Sequence, residues 1–157
     1  MPDLLVKLYD LPSALETPVA EVVETRRAFS AERQFICDWL ACEFSHAWAA
    51  EAGGCFGGGR VSCFVATCEG KLVGVACYDT TARGMFGPIG IAESSRHRGL
   101  GRQLLLTTLR DMASAGYAYA VIGGAGADVI EFYRKAVGAI PIADSEPGFY
   151  RGMLKLE

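Results

Sequence analysis

A chain of 157 residues, 51% apolar and 21% charged, is the size of one domain around one core, not of several. Its net charge of −3 excludes a global attraction to nucleic acid or to an anionic membrane, so any affinity for anions has to come from a local cluster. No run approaches the ~18 consecutive apolar residues of a membrane span, and the N-terminal MPDLLVKLYD lacks the apolar stretch of a signal peptide, which makes the cytoplasm the expected compartment.

The first pattern, LLVKLYDL at 4–11, predicts a short strand closed by Pro12 and Ser13. VVETRRAF at 22–29 reads as a second strand, with the end of a helix begun after Pro18 as the alternative. A helix follows from Ser30, which supplies a hydroxyl N-cap, with Glu32 in its first turn and Phe35, Ile36, Trp39, Leu40 and Phe44 at helical spacing. EAGGCFGGGR at 51–60 has no lysine, no threonine and no helical pattern behind it, so it reads as a flexible connection and not as a phosphate loop. VSCFVATC (61–68) and KLVGVACYD (71–79) predict an antiparallel hairpin about Glu69-Gly70. GMFGPIGIA (84–92) is a strand whose Pro88 belongs at an edge, a bulge or an opening in the sheet. Leu104, Leu105, Leu109 and Met112 mark an amphipathic helix from Leu100 to about Gly116. YAYAVIGG (117–124) reads as a fully buried strand, ADVIEFYRKAV (127–137) as a helix stopped by Gly138, and AIPIA and FYRGMLKL as two closing strands. The sum is a mixed α/β or α+β sheet with helices on its faces and no internal repeat or linker.

The six cysteines at 37, 42, 55, 63, 68 and 77 form no CxxC pair. They read as reduced, buried thiols serving as small hydrophobes, and His46 and His97 are too scattered for a metal site.

The segment that carries chemistry is SRHRGLGRQLL, 94–104, which sets three arginines, a histidine and two glycines between a strand and a long helix. Unpaired backbone N–H groups converge at a helix start with the positive end of the helix dipole behind them, and glycines let an anion reach that backbone. A dinucleotide fingerprint would need a glycine at Leu104 and an acidic residue after the next strand, where Ile122-Gly123-Gly124 stands. A P-loop would need Gly-Lys-Ser/Thr. What remains is R-x-x-G-x-G, RHRGLG at 96–101.

This arrangement, together with IGIAESSRHRGLGRQLL, YAYAVIGG and IEFYRKAVGA, resembles the GNAT superfamily of N-acetyltransferases most strongly over residues 61–157. The resemblance implies a single domain over 1–157, with N-terminal strands and an acceptor-side helix in 1–60 and an acetyl-CoA-binding core in 61–157. It implies a mostly antiparallel central sheet with a splayed parallel strand pair and helices on both faces. The co-substrate it implies is acetyl-CoA, with no metal. Ile89 and Ile91 would bind the pantetheine arm through their backbone, and Arg96, His97, Arg98, Gly99, Gly101 and Arg102 would hold the pyrophosphate. Tyr133 falls where many members place a tyrosine near the thioester sulfur, and Gly126 stands where many have an asparagine.

The implied reaction is direct transfer of an acetyl group to a primary amine of a small molecule or peptide, with no nucleic acid or membrane as partner and a homodimer left open. The other readings are a non-catalytic acyl-CoA-binding module on the same fold and, far behind, a redox sensor built on the cysteines. For Tyr133 two roles compete, general acid and core packing, because Val129, Ile130, Ala136 and Val137 share its helix face. Asp79, Glu43 or a water chain are the candidates for deprotonating the amine, and Tyr78, Trp48, Ser145, Glu146 and Tyr150 for walling the acceptor cleft.

Overall fold

The computed structural model describes residues 1–13 and 23–155. Seven strands form one sheet: β1 (Leu4–Lys7), β2 (Val23–Arg27), β3 (Cys63–Cys68), β4 (Lys71–Tyr78), β5 (Met85–Ile91), β6 (Tyr119–Ile122) and β7 (Ile140–Pro141). Their order is β2-β3-β4-β5-β6-β1-β7, and every pairing is antiparallel except β5 with β6. Four helices accompany them among the described residues: α1 (Arg33–Glu43), α2 (His46–Gly53), α3 (Leu100–Ser114) and α4 (Ala127–Val137). The mixed α/β class and the mostly antiparallel sheet with one parallel pair are as expected from the sequence.

The unbroken apolar runs of β3 and β4 follow from burial on both faces. Phe64, Ala66, Ala76 and Tyr78 join α3 and α4 in one core cluster, while Cys63, Val65, Val75 and Cys77 join Ile36, Leu40 and Ala52 of α1 and α2 in another. The hairpin between these strands turns at Glu69 (φ 50°) and Gly70 (φ 75°), two consecutive left-handed residues whose twist matches that of the strands.

Local expectations fail in five places. The helix predicted from a Ser30 cap begins at Arg33, because the Glu32 carboxylate, held by Arg26 at 2.6 and 2.9 Å, takes the Phe29 amide at 2.8 Å in place of a hydroxyl cap. Phe35 lies outside the core at 65% exposure. The glycine-rich stretch is a connection only over 57–60, since Glu51–Gly53 close α2, whose N-cap Ser45 accepts from the Trp48 amide at 3.2 Å, and 54–56 add a helical turn. β6 is not fully buried: Ala120 and Ile122 are, but Tyr119 is exposed, because the α1–α2 cluster includes no residue of β6. Finally, 149–152 form turns and not a strand, drawn in by the Asp3 carboxylate, which accepts from the Phe149 amide at 2.9 and 3.1 Å.

One ion-paired cluster ties the sheet to α3. Asp111 accepts from Arg27 (2.5 Å), Tyr78 Oη (2.6 Å) and Arg60 (3.2 Å), and the Arg27 guanidinium also lies 4.8 Å from the Phe64 ring. Burial works to raise the Asp111 carboxyl, but the bonds from Arg27 and Tyr78 hold it below its ordinary value.

Candidate active site

The parallel contact between β5 and β6 is only two residues long, Met85 with Val121 and Phe86 with Ile122. Beyond it β5 stays bonded to β4 but has no ladder partner toward β6 among the described residues. The cause lies at Gly87-Pro88. Between the pairs Ala76–Ile89 and Tyr78–Phe86, β4 spends one residue and β5 two, a bulge that accommodates a proline with no N–H to donate and a glycine at φ 124°. The result is an open strand edge inside the sheet, where a linear ligand can add its own hydrogen bonds.

Beside that edge lies a cleft of about 660 Å³, walled by Ile89, Gly90 and Ile91 on one side and by Asp128, Val129, Phe132 and Tyr133 of α4 on the other. Its end is the basic turn: Arg96, His97, Gly99, Gly101 and Arg102 all line it. His97 (φ 65°) and Gly99 (φ 78°) are both left-handed, which coils the turn tightly onto the first residue of α3. No side chain caps α3 at Gly99, so that helix start presents its backbone to the cleft. A Cβ at Gly101 would meet only Ile91 Cγ1 at 3.7 Å and Phe132 Cζ at 3.8 Å, ordinary contacts. The protein itself therefore does not require glycine there, and the bare backbone serves whatever enters the cleft.

The structure thus brings together eight of the ten residues singled out in the sequence: Ile89, Ile91, Arg96, His97, Gly99, Gly101, Arg102 and Tyr133. Arg98 and Gly126 are not among the lining residues. Gly126 is the N-cap of α4, and the space of its missing side chain is taken by Asp128, whose Oδ1 lies 2.8 Å from where a Cβ would stand.

A second cavity of about 450 Å³ opens on the other side of Tyr133, bounded by Trp48 and Glu51 of α2, Pro88 of β5, and Tyr150 and Met153 of the C-terminal segment. Ile89, Val129 and Tyr133 line both cavities. Tyr133 is 7% exposed, and burial pushes its phenol up to about 12, so it carries its proton at neutral pH. No described residue hydrogen-bonds its hydroxyl in the present arrangement, which leaves that hydroxyl uncommitted at the junction of the two cavities.

Several expected roles do not survive the geometry. Asp79 accepts from the Gly84 amide (2.7 Å) and from Tyr117 Oη (2.6 Å) and stabilises the β4–β5 turn, away from both cavities at Tyr133. Glu43 is exposed near the end of α1 and lines neither. Of the proposed cleft walls, Trp48 and Tyr150 are in place, whereas Tyr78 bonds Asp111, Ser145 Oγ accepts from the Asp3 amide and Glu146 pairs with the N-terminal amine.

Two contributors went unnoticed in the sequence. Phe44 leaves α1 to lie against Gly90, where a Cβ would come within 2.5 Å of its ring. There it stacks on Trp48 (4.8 Å between centroids) and meets the Arg96 guanidinium at 5.9 Å. Glu51 accepts from Tyr150 Oη at 2.5 Å and from Thr81 Oγ1. For Glu51 the sequence signal is the helical spacing Ser45, Trp48, Glu51, which carries α2 into the glycine-rich stretch.

The expectation of buried thiols holds for Cys55, Cys63 and Cys77; Cys37 and Cys68 are half-buried and Cys42 is exposed. Cys55, Cys63 and Cys77 are buried together under α2, and mutual thiol contacts followed by burial push the Cys77 thiol well up. Among the described residues there is no group of side chains able to hold a metal ion, and no helix long and apolar enough to cross a membrane.

Comparison with known proteins agrees with this architecture. The sequence profile of the acetyltransferase (GNAT) family matches residues 25–139. No curated protein matches the chain. Among solved structures, the fold is similar to the GCN5-related glucosamine N-acetyltransferase region of a fungal multi-domain GH3 β-N-acetylglucosaminidase (TM-score 0.72, 14% identity), covering 90% of this chain and 19% of that one. It is similar also to the GNAT family N-acetyltransferase YhbS of Escherichia coli in complex with CoA (TM-score 0.59, 24% identity, 76% and 70% covered). A GNAT family acetyltransferase of Brucella melitensis in complex with acetyl-CoA gives TM-score 0.57 at 15% identity, with 70% and 80% covered. At these identities the structural likeness is one of fold, and the profile match over most of the chain is what establishes kinship: the protein belongs to the GNAT acetyltransferase family.

Proposed function

We propose that the protein is an acetyl-CoA-dependent N-acetyltransferase that passes the acetyl group directly to a primary amine. The observation that carries this reading is the meeting of two cavities at Ile89, Val129 and Tyr133, one ending in a basic helix start and the other in a carboxylate. Acetyl-CoA is a long anionic molecule with a reactive thioester at one end. The 660 Å³ cleft suits it: the N-terminus of α3 with Arg96 and Arg102 for the pyrophosphate, the β5 edge, where Arg96 Nε donates to the Ile91 carbonyl at 3.0 Å, for the amide-bearing arm, and the junction for the thioester.

Transfer needs an amine that has lost its proton, a polarised carbonyl and a proton for the departing thiolate. A β5 edge amide can polarise the carbonyl. Tyr133, protonated and without a competing bond, is the group to protonate the sulfur. Because the amine attacks the thioester within a ternary complex, no enzyme nucleophile is involved, and the buried cysteines have no part.

The test is release of free thiol from acetyl-CoA against a panel of alkylamines, amino acids, aminosugars and peptide N-termini. Amine-dependent release supports transfer. Saturable CoA binding without release on any amine would replace this reading by a non-catalytic acyl-CoA-binding module.

A further inference from the structure

The cavity beside α2 has a charge distribution that selects its occupant. Its walls are largely apolar, with Trp48, Pro88, Val129 and Met153 prominent. Glu51 is the one carboxylate among the described residues that line it, and no lysine, arginine or histidine side chain joins them; Met1 also lines it, with its N-terminal amine paired to Glu146 and not to Glu51. The carboxylate is held in position by two neutral hydroxyls, Tyr150 Oη and Thr81 Oγ1, both of which donate to Oε1. Among the described residues nothing donates to Oε2, and no cation pairs with Glu51. Burial, then the bond to Glu51, push the Tyr150 phenol up to about 12, so Tyr150 keeps its proton across the neutral range and stays a donor to Glu51.

Glu51 is half-buried in this largely apolar wall, and its carboxylate is oriented by two hydroxyls with no counter-charge beside it, which leaves Oε2 open to a cationic donor. We infer that this cavity is the acceptor subsite and takes a primary ammonium on an apolar stem, with Glu51 receiving the ammonium at Oε2 and Trp48 walling the stem. The inference rests on the acetyl-transfer reading and narrows its substrate class. Anionic acceptors are repelled by the carboxylate, and neutral ones leave it unpaired. Position agrees with this role. Glu51 and Trp48 lie one turn apart on α2, and Tyr150, which fixes the carboxylate, is itself fixed by the Asp3 clasp on Phe149.

The experiment is calorimetric titration of the CoA-loaded protein with n-hexylamine and, separately, with n-hexanol, which has the same stem without the charge. Hexylamine is expected to bind at least ~10-fold more tightly. Glu51→Gln, which keeps an acceptor for Tyr150 and Thr81, should bring the two ligands to equal affinity while CoA affinity stays unchanged. Tyr150→Phe, which keeps the charge, should retain the preference. A wild-type protein with no preference for the amine overturns the inference without recourse to any variant, as does an undiminished preference in Glu51→Gln. If CoA itself does not bind, the acetyl-transfer reading fails and this one with it. If CoA binds and the amine is not preferred, only this one fails.

Discussion

The cleft beside β5 and the cavity beside α2 share Ile89, Val129 and Tyr133 but are built from different material. The cleft is made mainly of backbone: an unpaired strand edge, a left-handed turn and a helix start, most of it from one continuous stretch, residues 89–102. The cavity is made of side chains from five separated stretches, reaching from Met1 to Met153. The first can be recognised from spacing, because glycine and proline placement dictates backbone shape locally. The second depends on which segments the fold brings face to face.

The comparison is most exposed to failure at Gly101. If the cleft is a backbone site for an anion, Gly101→Glu should reduce acetyl-CoA affinity by ~10² or more by calorimetry, whereas Gly101→Ala, whose Cβ has room, should stay folded and bind measurably. Wild-type affinity in a folded Glu variant would remove the anion site.

At the shared wall, Tyr133→Phe keeps the ring and its packing and removes only the hydroxyl. Turnover should fall by ~10²-fold with acetyl-CoA affinity unaltered. Because that phenol lies near 12, no loss of activity from its ionisation is expected below about pH 11. An unimpaired Phe variant would return Tyr133 to the core.

The acceptor side should respond on its own. A Cβ at Gly123 would stand 2.7 Å from Met85 Cε and 2.8 Å from Tyr150 Cε2, so Gly123→Ala should displace the Tyr150 ring and raise KM for the amine by about 3- to 10-fold while leaving KM for acetyl-CoA in place. Equal changes in both constants would mean that the two cavities are not separable.

The smallest expected effect lies away from both. Asp111→Asn should cost about 1–3 kcal/mol at neutral pH by leaving Arg27 without its carboxylate. The Asp111 carboxyl titrates lower in the folded protein than its ordinary 3.8. Its contribution is therefore present above that value and lost as pH falls through the folded-state pKa. The stability gap between wild type and variant, followed by denaturant unfolding, should close as the medium is acidified below 3.8. A gap that persists there would mean that the charge of Asp111 is not what Arg27 and Tyr78 hold.

The identity of β1 to β6, α3 and α4, the Glu69-Gly70 hairpin, an irregularity of the sheet at Pro88 and the basic turn at 96–102 were determined by the sequence itself. Each rests on short-range covalent geometry: allowed φ, a missing N–H, or apolar spacing at one period. Tertiary structure decided the rest. It broke the chain at Phe44-Ser45 into two helices, because the Phe44 ring had Gly90 to pack on. It kept 149–152 out of the sheet, because the Asp3 carboxylate offered that backbone a stronger partner than a strand edge. It set Glu51 and Tyr150, 99 positions apart, within 2.5 Å of one another and withdrew Asp79 into a turn. A carboxylate's role follows from what desolvates it and what donates to it, and those neighbours are chosen by long-range packing, which local pattern does not record.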